Sequence, residues 1–354
     1  MILRNAYFDE RIKQMRRSMK ARGLDGYFTS SEQNIFYLTG YKDDNSMLLI
    51  TRKNILLGVS GMNLSLAKKF LAGRSAVKIE LLNSFYKFVS TSDLKKLGYG
   101  AGLVLEKYRY LKKIKGLHLV YNPGLIEELR SIKDDYEISQ IRISCDISKR
   151  AAKFAFSLLK NGITEKQLTD EIELFFRRNG ALKSAFDLIA ASGKNSAYPH
   201  HQVSERKIGA NEIVVLDIGC MYRGYCSDLT RTFLLGKIKK YYKTIYNIVS
   251  EARSVALRTI KPGVAARDLD AVARGVIKAA GYEKYFLHSL GHGVGTEVHE
   301  YPYLSPKSSA SLKQGMVLAV EPGIYLPDKF GMRIEDTVIV TEKGCEVLTD
   351  DFNF

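Results

Sequence analysis

Apolar and polar positions in the first 120 residues change period repeatedly. Ala6, Ile12, Met15 and Met19 recur at helical spacing, and Gly23 follows as a natural C-cap, so the pattern predicts a helix over residues 5–22. Short apolar runs at 26–28, 47–50, 55–59, 103–105 and 117–120 predict strands, and residues 62–72 a further helix. Strands alternating with helices predict an α/β layer domain. The turn Tyr121-Asn122-Pro123-Gly124 closes this part. The boundary is expected near residues 121–132, which gives domains of residues 1–125 and 132–354.

From residue 132 onward one succession of elements is written twice. Residues 135–160 and 164–179 read as helices, 186–191 as a strand, and 212–219 with 225–234 as a hairpin. Helices follow at 240–260 and 266–281, then strands at 285–290, 316–325 and 333–341. The order helix, helix, strand, hairpin thus returns about 100 residues later, by pattern and with slight residue identity. Each copy ends in a hairpin bearing two acidic residues.

Composition narrows the class. Hydrophobic content of 45% and charged content of 26% over 354 residues are those of an ordinary globular protein. No run of 18 apolar residues predicts a membrane helix. Charges break up the opening segment, so no signal peptide is expected and the expected location is cytoplasmic. Cys145, Cys220, Cys226 and Cys345 form neither a C-x-x-C pair nor a zinc-ribbon spacing, which predicts free thiols that bind no metal. The net charge of +16 is concentrated in residues 1–120, where 22 Lys and Arg meet 9 Asp and Glu. These charges form no dense run with interleaved aromatics, so they predict a solvated surface and neither a nucleic-acid nor a membrane partner. No G-x-G-x-x-G or Walker A sequence offers a phosphate cradle.

The two hairpins carry the chemistry. In the first, a turn centred on Tyr222 and Arg223 would set Asp217 opposite Asp228 on one face, with Gly224 able to shift the register by a bulge. Paired buried carboxylates require a cation. The plainer alternative pairs Asp228 with Arg231. In the second hairpin, Glu321 and Glu335 are symmetric about residue 328, and Arg333 shares a face with Glu335. The plainer alternative there is an Arg333–Glu321 ion pair, which leaves Glu335 unmatched. Between the hairpins lie His288, His292 and His299, and His200-His201 precede the first; these are five of the six histidines in the chain. Two Asp, two Glu and one His make an oxygen-rich donor set suited to Mn²⁺, Co²⁺, Fe²⁺ or Zn²⁺, and four carboxylates can bridge two ions.

The motifs Asp-x-Gly…Gly-Tyr-x-Ser-Asp-x-Thr-Arg-Thr, His-x-x-Gly-His-Gly-x-Gly-x-x-x-His-Glu, Glu-Pro-Gly and Arg-Ile-Glu-Asp resemble those of the pita-bread metallopeptidases. Within that family the sequence looks most like the Xaa-Pro peptidases, aminopeptidase P and prolidase. The resemblance implies an α/β creatinase-like N-terminal domain followed by an α+β pita-bread catalytic domain. It implies two divalent ions, manganese first with cobalt or zinc as alternatives, held by Asp217, Asp228, His292, Glu321 and Glu335, with Asp228 and Glu335 bridging. Glu321 takes the place of the general base and His200 that of the proton-shuttling histidine, while His201 has no counterpart. His288 and His299 match substrate-binding histidines, with His299 also catalytic, and Arg333 matches a substrate-side arginine. The implied partner is a proline-containing peptide, and the implied assembly a homodimer. Ser289 stands where many prolidases carry arginine, and Thr296 where an aliphatic residue is usual; both leave the ligand set intact and bear on the substrate. The rival readings are creatinase-like hydrolysis without metal and a binding module that has kept the fold.

Overall fold

The computed structural model describes residues 2–74, 76–159 and 162–350. They form two compact units, Met1–Arg130 and Ser131–Phe354. Among the described residues no helix is long and apolar enough to cross a membrane.

The first unit runs α1 (Ile2–Ala21), β1 (Gly26–Thr29), α2 (Glu32–Thr39), β2 (Met47–Thr51), β3 (Ile55–Val59), α3 (Leu64–Phe70), β4 (Val77–Leu81), α4 (Leu82–Thr91), β5 (Lys96–Tyr99), α5 (Leu105–Lys112), β6 (His118–Tyr121) and α6 (Leu125–Ser131). The strands form one sheet in the order β4-β3-β2-β1-β5-β6. Period-two alternation divides their side chains between two cores. Leu48, Ile50, Ile55, Leu57 and Val59 pack with Ile12, Met15 and Met19 of α1, whereas Met47, Leu49 and Leu56 pack with Phe85 and Val89 of α4. A sheet buried on both faces explains why its strands read as continuous apolar runs.

One expectation in this unit fails. The apolar run at 103–105 is no strand: Val104 is the extended cap of α5, and a run that short does not distinguish strand from helix start. Within residues 121–132, where the boundary is expected, α6 carries Leu125 and Ile126 into the core of the first unit, and the two units divide after Arg130.

The second unit begins with α7 (Asp135–Leu158) and α8 (Glu165–Arg178), each opened by a capping box, from Asp134 with Glu137 and from Thr164 with Gln167. Of the helix expected at 135–160, residue 160 lies outside the described residues, as do residue 1 and residues 351–354 of the two expected domains. Next come β7 (Lys183–Ser184), β8 (Ile189–Ser192), a 3₁₀ turn at Gly193–Ala197, β9 (Ile213–Ile218), β10 (Cys220–Tyr222), β11 (Tyr225–Cys226) and β12 (Leu229–Leu234). The second copy comprises α9 (Lys240–Thr259), α10 (Ala266–Ala279), β13 (Gly291–Gly293), β14 (Glu300–Leu304), β15 (Val317–Val320), β16 (Gly323–Leu326), β17 (Phe330–Arg333), β18 (Asp336–Val340) and β19 (Cys345–Val347). The strand expected at 285–290 is absent; a 3₁₀ turn at Glu283–Tyr285 leads irregularly into β13.

The repeat is visible in the pairing. Strand order β12-β9-β8 in the first copy matches β18-β15-β13 in the second, and the hairpin tips β10-β11 and β16-β17 match as well. Each copy packs its own helix pair over its sheet, α7 and α8 in one core and α9 and α10 in the other. In both copies the hairpin breaks between base and tip, and the acidic residues cluster at these breaks.

Candidate metal centre

In the first hairpin Met221 pairs with Cys226 and Tyr222 with Tyr225, so the turn is Arg223-Gly224, with φ of 49° and 88°. Both central residues in the left-handed region make a type I′ turn, the form that suits the twist of a hairpin. The expected register was therefore wrong: Asp217 faces Thr230, not Asp228. Asp228 lies in the gap between β11 and β12, beside the pinch where a Cβ on Gly219 would meet Ser227 O at 2.2 Å. Two residues from Thr230, it still reaches Asp217 diagonally. In the second hairpin Val320 pairs with Asp336 and Gly323 with Arg333, which brackets Glu321 and Glu335 symmetrically about Asp328, as the sequence suggested. Pro322 lacks a ladder N–H and helps end β15 there.

The two hairpins are stitched together by their backbones and threonines. Glu335 N donates to Thr230 O at 3.1 Å, and Thr337 Oγ1 donates to Asp228 O at 2.7 Å. Thr230 Oγ1 donates to Glu335 Oε2 at 2.7 Å and accepts from Arg333 Nε at 3.1 Å. Arg231 is bonded to Asp336, to the Glu335 carbonyl and to Thr349 O, which disposes of an Asp228–Arg231 pair. Arg333 donates to Asp217 Oδ2 and lies 3.9 Å from Glu321, so its principal partner is not Glu321.

The five expected ligands converge. Asp217, Asp228 and Glu335 offer oxygens within 4.8 Å of one another, as do His292, Glu321 and Glu335, and Asp228, His292 and His299. Asp217, Asp228, His292 and Glu335 are buried. Gly291 and Gly293 let β13 lie close between β14 and β15: a Cβ on Gly291 would meet Ala319 O at 1.9 Å, and one on Gly293 would meet Tyr301 O at 2.5 Å. That narrow strand delivers His292.

His292 Nδ1 lies 3.1 Å from the carbonyl of Gly293, which can only accept, so Nδ1 carries the proton and Nε2 a lone pair. Burial, and then the neighbouring His299, pull its pKa down to about 4 and keep the ring neutral. The lone pair is 3.6 Å from both Asp228 Oδ2 and Glu321 Oε1. Three acceptors facing one another are repulsive unless a proton or a metal ion lies among them. Donors about 2.1 Å from a shared tetrahedral ion lie about 3.4 Å apart, close to this spacing.

The carboxylates give the same indication. Burial pushes Glu321 up to about 8, with Asp217 adding to the rise and Arg333 opposing it. Burial, then Glu335, Asp217 and Glu321, hold Asp228 well above the ordinary range; burial, then Asp217 and Glu321, do the same to Glu335. Asp217 Oδ1 is buried with no hydrogen-bond partner. Divalent ions would supply the partner and the counter-charge that this donor set lacks. The residues present therefore fit a metal centre.

A cavity of about 850 Å³ opens over the ligands, with His200, His201, His288, His299, Phe186 and Tyr303 among its walls. His200 and His299 are exposed. His288 Nδ1 donates to Ser289 O at 2.8 Å, and its Nε2 accepts from Tyr325 Oη at 3.0 Å. Burial, followed by the Arg333 charge, lowers His288 to about 3. Tyr325 Oη in turn accepts from Arg333 at 2.6 Å, and burial keeps this phenol protonated, up at about 12. Arg333 also donates to Pro199 O at 3.3 Å. The reading of residue types overlooked Thr230 and Tyr325. Period-two alternation from Glu321 already placed Tyr325 on the ligand face. His201, which seemed incidental, is bonded to buried Glu165. Cys220 sits against Ser144 and Ser227, within the protein interior.

Comparison with known proteins agrees with this geometry. Residues 139–342 match metallopeptidase family M24, and residues 11–132 match the creatinase/prolidase N-terminal domain. An Xaa-Pro dipeptidase of Pyrococcus horikoshii is 36% identical, over 96% of this chain and 97% of its own. The structure of an Xaa-Pro dipeptidase from Bacillus anthracis superposes with a TM-score of 0.92 at 36% identity, covering 98% of this chain and 99% of that one. An X-Pro aminopeptidase from Thermotoga maritima superposes at 0.85 with 33% identity, covering 94% and 97%. With a creatinase-type N-terminal domain and a catalytic domain matched over most of its length, the chain belongs to metallopeptidase family M24.

Proposed function

We infer that the chain hydrolyses the bond between an N-terminal residue and a following proline, in dipeptides or short peptides. The observation that carries this reading is the lone pair of His292 Nε2, turned onto Asp228 and Glu321 within a buried carboxylate set. The relatives named above, Xaa-Pro dipeptidases and an X-Pro aminopeptidase, supply the bond class.

In this reading Asp217, Asp228, His292, Glu321 and Glu335 would hold two divalent ions. Such ions, when bound, lower the pKa of water and stabilise the oxyanion of acyl transfer. Glu321, its side chain 18% exposed and so the most open of the four carboxylates, takes the proton of the attacking water as general base. The departing proline nitrogen came from a tertiary amide without an N–H and has to gain a proton. We assign that transfer to His200, which is exposed in the cavity. His299 steadies the peptide beside His292, whose ring is 4.2 Å away between centroids. His288 has both nitrogens engaged and meets substrate through its ring. Arg333, bonded to Asp217, Thr230, Tyr325 and Pro199 O, orients the ligand set and the cavity wall, and contacts substrate by exchanging one of those bonds.

Manganese is the ion we assign, because carboxylates outnumber imidazole and thiolate is lacking; cobalt and zinc are the alternatives. The two domains we assign are residues 1–125 and 132–354, and the working unit a cytoplasmic homodimer, on the strength of the family resemblance. Scattered surface charge supports a peptide substrate with no nucleic-acid or membrane partner. The test is hydrolysis of Ala-Pro and Ala-Pro-Ala by chelator-treated protein, before and after adding Mn²⁺, Co²⁺ or Zn²⁺. Cleavage should depend on added ion, and the ratio of the two peptides separates dipeptidase from aminopeptidase. Cleavage of neither peptide with any of the three ions would refute the reading.

A further inference from the structure

A buried carboxylate outside the expected ligand set, that of Glu165, organises the segment that carries His200. Glu165 is the first residue of α8, and its side chain has no solvent exposure. Its Oε1 accepts from Ser192 N at 2.8 Å, Ser192 Oγ at 2.7 Å and Asn195 Nδ2 at 3.0 Å. Its Oε2 accepts from Ser204 Oγ at 2.6 Å and His201 Nε2 at 2.9 Å. All these donors lie between residues 192 and 204, on both sides of His200. Burial pushes Glu165 up, but the hydrogen bonds from Ser204, Ser192 and His201 outweigh it and hold the carboxyl below its ordinary range. An ionised carboxylate only accepts, so Nε2 of His201 carries the proton.

The same segment is held from the hairpin side. Gly331 N donates to Ser196 Oγ at 2.9 Å, and Arg333 donates to the carbonyl of Pro199. His200 lies between the two anchorages with its side chain exposed in the cavity, while His201 is turned onto Glu165 and only 13% exposed. Neighbouring histidines thus have opposite surroundings.

We propose that His201 is a positioning residue: bonded to Glu165, it fixes the 196–204 segment so that His200 is presented over the metal ligands. The proposal rests on the reading of His200 as the group that transfers a proton to the leaving nitrogen. A displacement of about 1 Å in such a group costs up to roughly a hundredfold in rate.

The experiment pairs His201→Leu, which removes the donor, with His201→Gln, whose amide N–H can still reach Glu165. It is run in the full metal-loaded chain, with and without His200→Ala. His201→Leu should lower kcat roughly ten- to a hundredfold, with KM and metal content near those of the unmodified chain, and His201→Gln should recover most of the loss. In the His200→Ala background His201→Leu should cost nothing more. Amide exchange gives a readout independent of catalysis: Tyr198 N and His201 N, bonded to Asn195 O and Tyr198 O, should exchange faster in His201→Leu. An equal fold-loss in both backgrounds, or unchanged exchange at these amides, would overturn the proposal. Should the unmodified chain cleave no Xaa-Pro peptide, the functional reading fails, and exchange alone then decides for or against the anchoring.

Discussion

At the residue scale, the site sets function against stability. Asp228 is buried among Asp217, Glu321 and Glu335, and its carboxyl is held well above the ordinary range by burial and by those charges. Without a cation, ionising it is unfavourable. Asp228→Asn keeps the shape and removes the charge. The substitution should abolish nearly all activity and reduce bound metal below two ions, yet leave the metal-free protein as stable as before or more so. Metal analysis, peptide hydrolysis and thermal unfolding with chelator present check this. A metal-free variant that unfolds at markedly lower temperature would mean that Asp228 is a structural partner and not a ligand held in reserve for an ion. The residue types of all five converging groups were legible because acidic residues within apolar strands, and five of six histidines gathered in two segments, are costly patterns to keep without a use. Glu165 was not legible: it reads as an ordinary first-turn acid on a helix, and only the return of the 192–204 segment shows what it binds.

At the scale of elements, the hairpins show where sequence reasoning succeeds and where it slips. The long second loop, with Glu321 and Glu335 equidistant from residue 328, left one sensible register, and that register is present. The first hairpin has two candidate turns one residue apart, and side-chain alternation alone chose the wrong one. What decides is backbone chemistry: Gly224 tolerates a φ of 88°, and a type I′ turn at Arg223-Gly224 follows. Gly224→Val should therefore destabilise the fold by about 1–2 kcal/mol, the cost of a β-branched residue in the left-handed region. It should also weaken metal retention, since the turn sets the register of Asp217 and Asp228. Arg223→Asn, which creates the preferred Asn-Gly pair, should shift stability the other way. Urea midpoints and metal content of the two variants read this directly, and equal midpoints for both would show that the turn does not set the register. Strands 103–105 and 285–290 failed for a related reason, because a short apolar run carries no period long enough to tell strand from helix or irregular chain.

At the scale of the whole molecule, the buried carboxylates tie folding to pH and to metal. An unperturbed glutamate titrates near 4.5, whereas Glu321 is pushed up to about 8 by burial, with Glu335 and Asp228 raised in the same direction. Between those pH values the folded metal-free chain holds protons that the unfolded chain has released, so this term makes stability fall as pH rises. The buried histidines oppose it at lower pH. His292 and His288 drop from 6.5 to about 4 and about 3, mainly by burial, so the unfolded chain binds the extra protons there and stability rises with pH until about 6.5. Above 6.5 the histidine term is exhausted and the carboxylates act alone. The metal-free protein should therefore lose thermal stability between pH 6.5 and pH 8. Bound divalent ions reverse the sign, because they select deprotonated carboxylates and neutral imidazole, so their stabilisation grows with pH. The gap in Tm between loaded and chelated protein should widen across that window. Unfolding scans at pH 6.5, 7.2 and 8, with chelator or with manganese, measure both slopes. A chelated protein whose Tm climbs through this range would show that the cluster does not hold protons in place of metal.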